Sequence, residues 1–352
     1  MVDLFGHAAP SRRETQRKRS APVCGRSVKS AGLCTRADTH QVLREKQHRL
    51  WGQVRHFGHQ ERAHLSEGTT YVFGDAITWL MDLPPCSIHA VVADPPYGLL
   101  EYDQKNQQKL RAGRGGVWRI PPSFDGARRK PLPRFTVLSR DEISALHDFF
   151  SSVASALKRV LVPGGHIFIA SNPLLSSMTF HAFQNAGLEK RGEVIRLLQT
   201  LRGGDRPKGA EAEFPEVSMM ARSCWEPWGI FRKPLEGTAA ANLRKWGTGG
   251  LRRISNEEPF KDVLVCSPTR GQEKKIAPHP SLKPQRFMRQ IVRASLPLGV
   301  GIVFDPFAGS GSTLAAAEAV GYVAVGIDRD PQYYSMGRMA FAQLAAMRIP
   351  AR

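Results

Sequence analysis

The stretch GVGIVFDPFAGSGSTLAAAEAVGYVAVGID, Gly299 to Asp328, constrains the fold more than any other part of the chain. It reads as a strand over Gly301 to Phe304, a glycine turn, a helix from about Ser312 to Val320, and a second strand over Tyr322 to Ile327. Strand, helix, strand in this spacing is a βαβ unit, and such units commit a chain to a parallel sheet with helices on its faces. Gly309 and Gly311 let the backbone approach a ligand closely, the helix N-terminus favours a polar or anionic group, and Asp328 ends the second strand where a ribose diol would sit. Asp305 and Asp328 are acids, and the loop lacks the lysine of a phosphate-binding loop. A cofactor carrying positive charge is therefore expected here rather than a nucleoside triphosphate.

The same alternation begins upstream. Apolar strands are expected at Tyr71 to Phe73, Ala90 to Ala93 and His166 to Ala170. Between the last two, Ser139 and Glu142 form an S-x-x-E capping box, and Ile143, Leu146, Phe150, Val153, Leu157 and Leu161 recur at helical spacing up to Pro163-Gly164-Gly165. The segment VVADPPYGLL, Val91 to Leu100, ends its strand abruptly, because Pro95 and Pro96 have no N–H to donate to a sheet ladder. Asp94 and Tyr97 are thus held at the carboxyl edge of a parallel strand, the edge where open α/β sheets bind ligands.

Charge narrows the partner. Among 352 residues, 50 Lys and Arg stand against 31 Asp and Glu, a net charge of +19. Such a balance implies a polyanion, most simply nucleic acid. Two segments concentrate it: residues 1–66 carry 13 basic and 5 acidic residues, and residues 104–140 carry 10 and 1. Residues 1–66 show no sustained apolar periodicity and are expected to form a basic, disordered tail, whose Arg-rich make-up also resembles an organellar transit peptide. No apolar run approaches the roughly 18 residues of a membrane span. Five cysteines without a CxxC pair argue against both a disulfide framework and a zinc site, so no metal is expected and a reducing cytoplasm fits.

Taken together, DPPYG and DPFAGSGST resemble the DNA amino-methyltransferases, which move a methyl group from S-adenosylmethionine to the exocyclic nitrogen of adenine or cytosine. The catalytic tetrapeptide precedes the cofactor loop, with HPSLKP, His279 to Pro284, just before the latter, and this permuted order is similar to the beta class. The resemblance covers about Tyr71 to Met347 and implies a Rossmann-like three-layer α/β sandwich over residues 67–347, with circularly permuted motif order and a small DNA-recognition insert. By it, Asp94 and the Pro95 carbonyl, with Pro96 and Tyr97, form the catalytic set. Asp94 and Pro95 accept hydrogen bonds from the target amino group, and Tyr97 stacks on a base flipped from double-stranded DNA. The implied S-adenosylmethionine set is Asp75, His279, Lys283, Asp305, Phe307, Gly309, Gly311, Thr313 and Asp328. Asp305 meets the cofactor's amino group, Asp328 its ribose hydroxyls and Asp75 its adenine amino group.

Sequence recognition is expected between these motifs, in the basic insert 99–140, in residues 198–221, or in residues 235–278. Within the last, Arg244, Lys245, Arg252 and Arg253 surround a WGTGG suited to a loop that grips phosphates. Trp225 and Trp228 read as core or edge-strand aromatics near the antiparallel end of the sheet. The pair Pro85-Cys86 resembles the nucleophile of cytosine-C5 enzymes, but it lies in the connection before a strand, and DPPY is foreign to that class. For the target base, Asp94 in the first position resembles adenine-N6 enzymes, whereas cytosine-N4 enzymes mostly carry serine there, so cytosine-N4 is the alternative. Rivals are an RNA base methyltransferase, which the motif order disfavours, and a silent DNA-binding homologue, which the intact Asp94, Tyr97, Asp305, Gly309 and Gly311 disfavour. A second copy of the chain and a restriction enzyme on a separate chain are further candidate partners.

Overall fold

The structure, a computed structural model, describes residues 36–96, 140–198, 206–207, 209–219, 221, 224–266, 269, 271–279 and 281–349. Tyr97, the insert up to residue 139 and residues 1–35 lie outside the described residues. The sheet has nine strands among the described residues, in the order β1-β2-β9-β8-β3-β4-β6-β5-β7. Its strands are β1 (Arg62–His64), β2 (Thr69–Phe73), β3 (Ile88–Ala93), β4 (Leu161–Ala170), β5 (Glu189–Leu197), β6 (Trp225–Arg232), β7 (Val263–Val265), β8 (Ile302–Asp305) and β9 (Val323–Asp328).

Strands β2, β9, β8, β3 and β4 are mutually parallel, and they are the apolar segments of the two βαβ readings. The helix predicted from the capping box runs Arg140–Val160 (α3), and that predicted after the glycine turn runs Ser312–Ala319 (α8). Side chains alternate across each strand, so two cores form. One holds Val91, Ala93, Ile167, Ile169 and Val325 under α2 (Ala76–Asp82), α3 and α4 (Ser176–Asn185). The other holds Ala90, Val92, Phe168 and Val303 under α7 (Gln285–Ser295), α8 and α9 (Pro331–Ala346). This is a three-layer α/β sandwich, as read from the sequence. From β3 the chain crosses through α3 to β4 on one side, and from β8 through α8 to β9 on the other. The pair β3–β8, registered as Ala90 with Val303 and Val91 with Phe304, is therefore a topological switch point, and a crevice opens above its carboxyl ends.

On the far side of β4 the sheet turns antiparallel. Trp225 and Trp228 fall in β6, which pairs with β4 and β5, and Trp228 is fully buried. Because Ala170 pairs with Trp228, the start of β6 lies at the same edge as the carboxyl ends of β3 and β4.

Of the segment 1–66 expected to be disordered, residues 36–66 are described and carry regular elements. A helix, Arg36–Val54 (α1), buries Leu43, Trp51 and Val54, and β1 pairs antiparallel with β2. Trp51 Nε1 donates to the Glu67 carbonyl at 3.1 Å and Gln47 Nε2 to the Gly301 carbonyl at 3.2 Å, fastening the helix below the amino ends of β2 and β8. Three buried residues in 19 make too narrow a stripe to register as amphipathic periodicity. Two short helices, α5 (Ala239–Trp246) and α6 (Gln272–Ile276), complete the described elements. None of the described helices is long and apolar enough to cross a membrane.

The corrected boundary reverses an expectation about truncation. A chain starting after His64 loses a buried tryptophan and the outer strand, and is expected to be destabilised by about 3 kcal/mol or more. Thermal denaturation of the truncated and full-length proteins measures it, and equal midpoints would restore the longer tail.

Candidate active site

The crevice holds a cavity of about 270 Å³. Each of its main walls begins where a parallel strand ends. Gly74 and Asp75 follow β2, Asp94, Pro95 and Pro96 follow β3, Asp305 to Gly309 follow β8, and Asp328 closes β9. His279, Ser281 and Lys283 enter from the connection before α7, and Phe149 from α3. Five lining residues are aspartates, Asp75, Asp94, Asp305, Asp328 and Asp330, against the cations Lys283 and Arg329.

The glycine loop is shaped from within. Asp328 Oδ2 accepts the Gly309 N–H at 2.8 Å and its Oδ1 the Asp330 N–H at 2.9 Å, while the Tyr71 hydroxyl donates to the Gly309 carbonyl at 2.6 Å. Gly309 has φ +50°, and a Cβ there would stand 3.4 Å from His279 Nε2, so a larger residue would narrow the cavity as well as strain the turn. Gly311 differs from the expectation. It does not line the cavity; at φ +78° it precedes α8 in the left-handed region, and a Cβ would face the Gly337 backbone at 3.6 Å. The turn requires that glycine, not a ligand's approach.

Asp305 is 3% exposed, and its Oδ1 accepts the Phe307 N–H at 2.9 Å. Burial pushes its carboxyl up to about 7, with Asp94 and Asp328 adding repulsion and the Thr313 hydroxyl and Phe307 N–H pulling back. Burial likewise raises Asp328, against the Asp330 and Gly309 amides. The His279 ring packs edge-on to Tyr333 at 4.3 Å and is pushed down to about 4 by burial, with Lys274 and Lys283 contributing, so it is neutral near pH 7. Asp75 caps α2, its Oδ1 accepting the Thr78 N–H at 2.9 Å. Phe307 packs against Phe149 with ring centroids 5.9 Å apart, an aromatic wall. Asp94 Oδ1 stands 3.1 Å from Lys283 Nζ.

Of the residues expected from sequence, Asp94, Pro95, Pro96, Asp75, His279, Lys283, Asp305, Phe307, Gly309, Thr313 and Asp328 line this one cavity. Sequence reasoning missed Phe149, which follows helical spacing one residue from Phe150, and Glu226, which lies behind Lys283. The expected phosphate-gripping loop lies elsewhere. Thr248 Oγ1 and Asn242 Nδ2 donate to the Pro163 carbonyl, pinning WGTGG at the amino end of β4, the opposite edge of the sheet. Arg252 donates to the Tyr322 hydroxyl and Arg253 to three nearby carbonyls, while Lys245 pairs with Glu236; Arg244 is exposed beside them. Cys86 is also at that opposite edge, just before β3.

A buried acid pair, a glycine turn that bars a side chain and an aromatic wall suit a ligand with a cationic head and a flat ring, the make-up of S-adenosylmethionine. Residues 223–339 match the family model for N6/N4 methyltransferases, described as DNA methylase. Over 283 residues the chain is 24% identical to the DNA adenine methyltransferase YhdJ of Escherichia coli (strain K12), covering 77% of this chain and 82% of that one. Among solved structures, the PvuII DNA methyltransferase, cytosine-N4-specific, superposes with a TM-score of 0.52 at 15% identity, over 78% of this chain and 87% of that one. The Thermus thermophilus protein TTHA0409, complexed with S-adenosyl-L-methionine, superposes with a TM-score of 0.50 at 20% identity, over 78% and 93%. The fold is that of the Rossmann-like methyltransferases. The matched segment and these relatives make the chain similar to the N6/N4 amino-methyltransferases of DNA.

Proposed function

We propose that this protein methylates the exocyclic N6 of adenine in double-stranded DNA, using S-adenosylmethionine and no covalent enzyme intermediate. The observation that carries this reading is that the Asp94-Pro95 edge of β3 and the Asp305-to-Gly309 loop of β8 open into one cavity across the switch point. When bound, the cofactor supplies an electrophilic methyl group on a sulfonium. The chain's own residues do the rest. Asp305 pairs with the cofactor's ammonium, Asp328 has remaining lone pairs for ribose hydroxyls, and Phe307 with Phe149 forms the apolar wall. Asp94 and the Pro95 carbonyl accept the two N–H groups of the target amine, which draws the nitrogen lone pair out of conjugation and fixes its direction. Tyr97, one residue beyond the described segment, would stack on the flipped base. The net charge of +19 supplies phosphate affinity that weakens with salt.

Adenine rests on the aspartate at position 94 and agrees with the name of the Escherichia coli relative; the cytosine-N4 specificity of the PvuII neighbour keeps the other base in contention. Mixed-sequence duplex DNA treated with the purified protein, digested and resolved by mass spectrometry is expected to yield N6-methyladenine. N4-methylcytosine as the sole product would change the base, and methylated RNA with unmodified DNA would change the substrate class.

A further inference from the structure

Four buried charges stand in a row behind the cavity. Lys283 Nζ lies 3.1 Å from Asp94 Oδ1 and 3.0 Å from Glu226 Oε2, and Arg196 Nη1 lies 3.3 Å from the same Glu226 oxygen. Glu226 Oε1 accepts the Trp228 indole N–H at 2.7 Å. Their side chains are 15% (Asp94), 7% (Lys283), 14% (Glu226) and 4% (Arg196) exposed, so this network is poorly screened. The antiparallel entry of β6 makes the arrangement, because it brings Glu226 to the carboxyl edge where β3 ends.

Resting on the reading of Asp94 given above, we propose that Glu226 is a positioning residue that holds the Lys283 ammonium between two carboxylates, so that Asp94 keeps its strength as acceptor for the target N–H. A cation within about 4 Å of a carboxylate stabilises its ionised form and weakens its hold on a proton. Lys283 alone would do this to Asp94 in full. Glu226 offsets it, being itself fixed by Arg196 and Trp228 and so unable to follow the lysine. Burial opposes the Glu226 charge, but Lys283 and then Arg196 outweigh burial and hold it ionised. The other titratable groups facing the row, among the described residues, are Asp305 across the cavity from Asp94, His279, neutral beside Lys283, and Cys266 and Glu273 beside Arg196, both raised by burial. Glu226 touches neither the cavity nor a reacting atom, so its effect runs through Lys283.

The test uses the full chain without cofactor, labelled with carboxyl-¹³C aspartate, the Asp94 signal being assigned by its loss in Asp94→Asn. Glu226→Gln is expected to lower the Asp94 titration midpoint by about one pH unit. In the methylation assay the acid limb of kcat should move the same way and kcat should fall about tenfold, with cofactor Kd unchanged. Glu226→Asp, which keeps the charge, should recover most of both. If Glu226→Gln does not fold, Lys283→Met takes its place and is expected to raise the Asp94 midpoint, because the cation that favours the ionised form is gone. An unmoved Asp94 midpoint in Glu226→Gln, or in Lys283→Met where that variant replaces it, overturns the proposal. Methyl transfer by Asp94→Asn at the parent rate overturns instead the role of Asp94 on which it rests.

Discussion

Asp94→Ala is expected to lose methyl transfer by about 10³-fold or more while binding both S-adenosylmethionine and duplex DNA nearly as well as the parent. The separation follows from where the carboxylate sits. Asp94 follows the end of β3, whereas Asp305, the proposed partner of the cofactor's ammonium, ends the neighbouring strand β8. Its acceptor is needed most as the target nitrogen becomes electron-poor in the transition state, so its removal should act on kcat far more than on KM. The fold should survive, because Lys283 retains Glu226 at 3.0 Å. Single-turnover transfer of a labelled methyl group, beside calorimetry for each ligand, measures both halves. A variant turning over within tenfold of the parent would remove Asp94 from the chemistry.

Cofactor affinity is expected to depend on pH through Asp305. With its carboxyl near 7, only the ionised form pairs well with an ammonium, so affinity should rise about eightfold from pH 6 to pH 7.5. Above about pH 8 the cofactor's own α-amino group loses its proton and the rise ends. Binding at pH 6 should release protons, visible as a dependence of the calorimetric heat on the buffer's ionisation enthalpy. Asp305→Asn should bind about 10- to 100-fold more weakly near pH 7.5 and lose the pH dependence, in keeping with the loss of a charged hydrogen bond. For the free protein the sign runs the other way. A carboxyl raised above its unfolded value of about 3.9 contributes stability that is full below that value and is lost as pH rises through about 7, and cofactor binding restores it. A flat affinity profile in the parent would place the ammonium elsewhere.

The parallel half of the molecule and the strand-end walls of its cavity were legible in the sequence, because each carried a signal of short range. Proline follows β3, apolar residues at helical spacing run along α3, and a glycine turn with an acid at the next strand's end defines β8, α8 and β9. What escaped depends on contacts between distant segments. Helix α1 buries only three residues, and no pattern within it reports that Gly301 and Glu67 hold it. Glu226 sits in a strand beside two tryptophans and looks structural until Lys283 arrives from 57 residues away. Arg252 and Arg253 read as DNA contacts because sequence shows charge but not the carbonyls and the hydroxyl that already accept their protons. Gly311 read as a ligand contact, although a glycine demanded by a turn leaves the same letter.

The order in which strands pair has a consequence for how this protein comes to be folded. Tyr71 pairs with Gly326 and Val91 with Phe304, and β6 must insert between β4 and β5. During synthesis β2 and β3 therefore emerge long before β9 and β8, each with one edge unpaired and one apolar face uncovered until α7, α8 and α9 arrive. Contacts this remote along the chain slow folding and leave intermediates prone to associate. The crevice between β3 and β8 can close only once β8 has been made, so a nascent chain cut short before Asp305 has neither the loop of β8 nor a complete parallel sheet.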